Sequence, residues 1–197
     1  MRKPSSSYKQ KGTIQHTVAL ERGVKAYSFC LYREFLMVGT DRDILLFDPE
    51  TSQLVGSFNA HRASVSAITF CTETGIVWTA DRSGEIALWE IQVRATPTSS
   101  PSRVLTADVK GLSIQCVGRR REQTGQKLIA LVPWRGDRIW SIAQDHVVIW
   151  DAIGQKPVQE LDIANNKISC CVSLDHSRAI LAHRGGKIEV YTPTKTM

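Results

Sequence analysis

The sequence has no apolar run near the roughly 18 residues that a membrane-crossing helix requires. Its longest apolar stretches, such as Ile129–Pro133 and Val147–Trp150, are strand-sized. The first residues do not read as a secretory leader. Met1-Arg2-Lys3-Pro4-Ser5-Ser6-Ser7 carries charge with no apolar segment behind it, and residues 1–12 read as a disordered tail. Cysteine is sparse and odd in number: Cys30, Cys71, Cys116, Cys170 and Cys171, with no CxxC pair. That excludes a disulfide framework and a zinc site. Four of the five lie in apolar runs, where a free thiol behaves as a small buried hydrophobe. A reducing, cytoplasmic setting is expected.

Catalytic signatures are absent too. His16, His61, His146, His176 and His183 do not stand at metal-ligand spacing to one another or to a cysteine or carboxylate. There is no GxSxG, no phosphate-cradling glycine loop and no Cys-His nucleophile pattern. The reading is therefore a non-enzyme with no catalytic residue, no metal and no cofactor. A net charge of +6 is mild. It favours acidic protein partners through long-range attraction and lacks the dense basic clustering of a dedicated nucleic-acid binder. Nucleic acid and phosphoinositides are weaker candidates.

What the sequence does have is a repeat. Four segments share one shape: Phe35 to Asp48, Gly75 to Glu90, Asp137 to Asp151, and Arg178 to Thr192. Each is a short apolar run, a tight polar turn rich in Asp, Gly or Ser, and a second run ending in an aromatic, which is a β-hairpin signal. The aromatics Phe47, Trp89, Trp150 and Tyr191 stand 42, 61 and 41 positions apart. The long interval holds two loop-like insertions, residues 94–103, dense in Pro and Ser, and residues 118–126, polar and charged. Removing them restores the period. A strand-like run precedes each hairpin (Val24–Leu31, Val65–Cys71, Leu128–Val132, Ile168–Leu174). Another follows three of them (Gln53–Phe58, Arg103–Asp108, Pro157–Ile163). Four short strands per unit with no helical period imply an all-β propeller.

The residues at fixed places in these units resemble the WD40-repeat family. His61 matches the family's Gly-His position, with Ala60 in place of the glycine. Trp89 matches its Trp, followed by Glu90, and Trp150-Asp151 is a literal Trp-Asp pair. The resemblance implies a hydrogen-bonded chain from the His through a second-strand Ser or Thr and a turn Asp to the Trp. Its members would be His61, Thr79 and Trp89, with Ser83 at the turn position and Asp81 nearby. The first unit supplies Asp41 and Phe47, and the last supplies Tyr191. The expected architecture is about four four-stranded blades over residues 13–195 (21–60, 61–109, 110–164, 165–195). It is a partial propeller, and the run Thr13–Leu20 is suited to complete its last blade. Uncovered end blades imply self-association or pairing with further blades.

The function implied is a scaffold for protein partners. Trp134 and Arg135, placed in a loop after Pro133, and the run Arg119-Arg120-Arg121, placed in the second insertion, are the candidate contact residues, because Trp and Arg dominate interface hot spots. A second resemblance rests on Val77-Trp78-Thr79 and Ile139-Trp140-Ser141. Tryptophan in the second strand is similar to the propellers fused to inositol-polyphosphate 5-phosphatases, and implies a targeting module of a lipid-signalling protein.

Overall fold

The computed structural model describes residues 17–93, 106–109, 112–121, 126–163, 167–174 and 178–191. Its strands form four antiparallel sheets. The first is β1 (Ser28–Tyr32), β2 (Phe35–Gly39), β3 (Asp43–Phe47) and β4 (Leu54–Asn59), paired in chain order. The second is β5 (Val65–Phe70), β6 (Val77–Asp81), β7 (Glu85–Val93) and β9 (Leu112–Arg121), with β8 (Thr106–Val109) added on its outer edge. The third is β10 (Ala130–Trp134), β11 (Arg138–Ile142), β12 (His146–Asp151) and β13 (Lys156–Asp162). The fourth is β14 (Ile168–Leu174), β15 (Arg178–His183) and β16 (Ile188–Tyr191).

Each sheet is a blade. The innermost strands β1, β5, β10 and β14 lie side by side in that order, so successive blades fan about one axis. Among the described residues no comparable packing joins the last blade to the first.

Strand periodicity explains the stacking. Successive side chains point to opposite faces, so a blade buried on both faces needs apolar residues at nearly every inner position. In β6, Val77 joins the core shared with the first blade, while Trp78 and Ala80 join the core shared with the third. In β12, Val148 and Trp150 face the second blade, and Val147 and Ile149 face the fourth. The three cores are the three blade junctions.

The aromatics Phe47, Trp89, Trp150 and Tyr191 occupy one register, opposite Leu36, Val77, Ile139 and Ala179. Trp89, Trp150 and Tyr191 point toward the preceding blade, while Phe47, in the first blade, is buried with no described blade before it. Trp89 meets Phe58, Trp150 meets Trp78, and Tyr191 meets Trp140, with ring centroids 4.9, 6.2 and 6.2 Å apart. In the first three blades the pairing of third and fourth strands shifts register at this aromatic, between Leu46 and Phe47, Leu88 and Trp89, and Ile149 and Trp150. A bulge of this kind raises the local twist and re-aims a side chain, here the ring that fills the junction.

Several expectations change. The fourth strand of the second blade is β9; of the predicted Arg103–Asp108, only residues 106–108 are described, within the added edge strand β8. The insertion predicted at 118–126 is strand as far as Arg121. A blade's outer strand faces water on one edge, so it tolerates polar residues that read as loop. The second blade thus runs past the expected boundary at 109. Trp134 closes β10 and is buried. Pro133 suggested a loop, but β10 is an edge strand of its sheet, where a missing amide donor is tolerated. Of Thr13–Leu20, residues 13–16 lie outside the described residues and 17–20 form no strand.

Gly39 lies at a close approach between the first and second blades. A Cβ added there would collide with Ser28 Oγ of its own blade and lie 2.8 Å from Val65 Cγ1 of the next. Gly39→Ala should therefore cost about 1–3 kcal/mol, the range for overpacking a tight core. Urea denaturation with an unchanged midpoint would show that the two blades can separate there freely.

Candidate functional site

The densest polar cluster lies where β4 hands over to β5, at the top of the first junction. Asn59, Ala60, His61, Arg62, Glu85 and Arg119 line a shallow depression of about 190 Å³. Beneath it sits the buried chain that the repeat implied. Trp89 Nε1 donates to Thr79 Oγ1 at 2.9 Å, and His61 Nε2 lies 2.7 Å from the same hydroxyl. His61 Nδ1 faces Asp81 Oδ2 and Glu85 Oε1, each at 3.5 Å. The Thr79 hydroxyl, which accepts from Trp89, also lies 3.2 Å from Ala87 O, so its one proton is shared between that carbonyl and the imidazole.

The turn acid is Asp81, not Ser83. Asp81 Oδ1 accepts from Ser83 N at 2.8 Å, Ser83 Oγ at 2.7 Å and Glu85 N at 3.1 Å. Ser83 is thus a donor to the acid. Burial pushes the Asp81 carboxyl up, but hydrogen bonds from His61, Ser83 and the backbone amides of Glu85 and Ser83 outweigh it and hold it at about 2. In the first blade the register of Asp81 falls to Thr40, whose hydroxyl donates to Asp43 O at 2.9 Å. Asp41 is exposed and accepts from Tyr27 OH at 2.8 Å. In the third blade Trp150 Nε1 donates to Ser141 Oγ at 2.8 Å. Asp151 there accepts from Ile153 N at 3.2 Å and Arg138 Nη1 at 3.0 Å, tying the turn to the neighbouring strand. The fourth blade substitutes a different set. His183 takes the register of Asp81 and lies 2.8 Å from Glu189, which also accepts from Tyr191 OH at 3.0 Å.

His61, Asp81 and Glu85 bring three possible metal-ligand atoms within 4.8 Å of one another. The chemistry of the set argues against a cation. Arg119 pairs with Glu85, and one Asp81 oxygen is occupied by three donors. A dication would have to displace the Arg119 guanidinium from Glu85 and compete with the three donors already on Asp81. Nor is there an activated thiol among the shifted cysteines. Burial raises Cys30, and burial with Cys170 alongside pushes Cys171 up to about 12, so both stay protonated and weakly nucleophilic.

The candidate contact residues land elsewhere than a free loop. Arg119 stacks 5.6 Å from the Trp89 ring and also donates to Ala60 O at 2.9 Å. Arg120 donates across the second junction to Gln155 O at 3.1 Å. Arg121 alone of the three is exposed without a partner among the described ion pairs. Trp134 packs edge-on against Trp140 at 5.0 Å, and Arg135 lies over its ring at 5.0 Å.

Trp89→Ala should lower unfolding free energy by about 3–5 kcal/mol, the usual loss for deleting a buried large aromatic. A loss under about 1 kcal/mol by denaturant titration would remove Trp89 from the core. Asp81 makes the fold acid-sensitive. Its folded value, about 2, lies below the ordinary 3.8, so its contribution is complete above the unfolded value and is lost as pH falls through about 2. Asp81→Asn should cost on the order of 2 kcal/mol at neutral pH and flatten the stability slope between about pH 4 and 2. An unchanged acid limb in thermal melts would overturn this.

No known family profile and no curated protein sequence matches the chain. Solved structures do. The β-propeller domain of Myceliophteria thermophila Cps50 (Swd1) is similar at 12% identity and TM-score 0.67, over 87% of this chain and 54% of that one. The WD40 repeats of RRP9 are similar at 14% identity and TM-score 0.69, over 89% of this chain and 50% of that one. The computationally designed Ika4 is similar at 17% identity and TM-score 0.63, over 92% of this chain and 100% of that one. The chain thus spans about half the length of the two natural propellers. At these identities the likeness speaks for architecture: the chain folds as a β-propeller of the WD40 type.

Proposed function

We propose that this chain is a non-catalytic interaction scaffold that holds an acidic protein segment on the rim carrying the turns between second and third strands. The observation that carries the reading is a set of exposed arginines on that rim. Arg42, Arg82 and Arg184 sit in the corresponding turns of the first, second and fourth blades, with Arg62 and Arg121 beside the His61 depression. The acids among them are largely committed. Asp43 accepts from Asn59 at 2.9 Å, Asp41 from Tyr27, and Glu85 pairs with Arg119. Asp145, in the turn of the third blade, is the exposed exception. Arginines held on short turns of a rigid fold lose little freedom on meeting carboxylates and can bind them bidentately. Catalysis is not part of the reading, because His61, Thr79 and Asp81 are engaged in the buried cluster. The five free thiols suit a reducing compartment, and we place the chain in the cytoplasm. Trp78 and Trp140, which carry the likeness to the 5-phosphatase propellers, are junction residues. Packing accounts for them.

A fluorescein-labelled glutamate-rich peptide is a direct probe, read by anisotropy against salt. The wild type should bind with strong salt dependence. Arg42→Glu with Arg62→Glu should weaken binding at least about tenfold and flatten the salt slope, since exposed charge pairing is screened. Equal binding by the variant would sink the reading. Preference for phosphoinositide vesicles over the peptide would replace it with a lipid-directed one.

A further inference from the structure

The junctions inside this chain define what each end blade lacks. Every blade carries, on the third strand, an apolar pair aimed at the following blade: Ile44 and Leu46, Ile86 and Leu88, Val147 and Ile149, Ile188 and Val190. The pairing register makes them equivalent. The first three pairs are buried, and the first two show no exposure at all. Ile188 is 68% exposed and Val190 57%, with Val172 and Leu174 of β14 exposed beside them. At the other end the innermost strand of the first blade leaves Phe29 78% and Leu31 63% exposed. One open face is the forward face of a blade, and the other is the inner part of a backward face, whose Val38 and Phe47 are already buried within the chain. They are the two halves of a contact the chain makes three times internally.

We propose that these faces close on each other between two copies of this chain. The last blade of one copy seats on the first blade of the other, twice, about a two-fold axis. This is independent of what binds the arginine rim. Three observations favour a second copy as the occupant. The chain itself presents both complementary faces. It spans about half of natural propellers of the same architecture, so two copies supply the blades of one. The strands at the open faces, β1 and β14, contain no charged residue, so the positive charge of each chain does not oppose contact there. A two-fold arrangement is self-complementary and closed, which limits assembly to two copies.

Light scattering coupled to size exclusion on the full chain tests this. The expected species has twice the 22.0 kDa chain mass. Phe29→Asp and Val190→Asp should each weaken association at least about tenfold, because a charge would be buried unpaired in each junction. Far-UV and near-UV circular dichroism should stay unchanged, since both sites are exposed in the single chain. Mixing the two variants should restore part of the dimer, because one junction of the mixed pair keeps both native faces. Val158→Asp, at an exposed position on β13, should leave the dimer intact. A monodisperse monomer at high concentration overturns the proposal, whether or not it binds an apolar dye. Open-ended oligomers overturn closure by two copies. A dimer insensitive to both Phe29→Asp and Val190→Asp, or one equally lost in Val158→Asp, overturns the assigned face.

Discussion

The constraint on which the fold depends is that the third-strand aromatic of the second, third and fourth blades is received by the blade before it. A sheet buried on both faces cannot be stable alone, because half of its apolar residues would face water. Trp89, Trp150 and Tyr191 satisfy this in one direction, and the apolar pairs on the same strands satisfy it in the other. The contact has a sense: forward face on backward face. Direction is therefore built into the stack, and the two ends of the arc differ in shape and chemistry. The bulge recurring at Phe47, Trp89 and Trp150 belongs to the same constraint, since a regular ladder would not turn the ring into the neighbouring blade.

A second requirement follows from using tryptophan for that ring. A buried indole N–H needs an acceptor or costs about 1–3 kcal/mol. Thr79 and Ser141 provide one on the neighbouring strand. Thr79 must then itself be held, which brings in His61 and, behind it, Asp81. Where the aromatic is Phe47 the need vanishes, and with it the serine or threonine. Where it is Tyr191, the hydroxyl is satisfied by Glu189 and the histidine moves to the strand end. The blades differ in sequence because each aromatic sets its own polar demand. Trp78 and Trp140 show the cost of departing from this rule: their indole N–H groups have no acceptor.

Legibility in the sequence followed the same division. The aromatic register and the blade count could be read because one ring per blade, at one position, is a periodic signal. His61, Thr79 and Trp89 were legible as a set for the same reason. Asp81 was assigned to the wrong place because the second and fourth blades have one more residue in this turn than the first and third, and counting from a neighbouring unit shifts the register by one. Trp134 looked like a loop anchor because Pro133 signals a break, yet the inner strand of a blade is an edge strand and tolerates it. Arg119-Arg120-Arg121 looked like a solvated insertion because strand patterns are judged by apolar alternation. An outer strand does not need apolar alternation.

That last point bears on where this fold has room for function. Interior strands are committed on both faces to junctions. The inner edge is committed to its neighbours around the axis. Polar variation is left to the turns and to outer strands such as β9 and β13, whose residues touch water on one side. Even there, part of the charge is drawn into the structure. The Arg119 guanidinium covers the Trp89 ring and ties β9 back to the Ala60 carbonyl, so it braces the first junction from above. Arg120 does the same for the second junction through Gln155. Arginine on an outer strand is therefore not by itself a sign of a partner site. Arg82, on its turn, covers the Tyr27 ring at 4.6 Å, whereas Arg42, Arg62, Arg121 and Arg184 have no side-chain partner among the described residues, and their charge remains for another molecule.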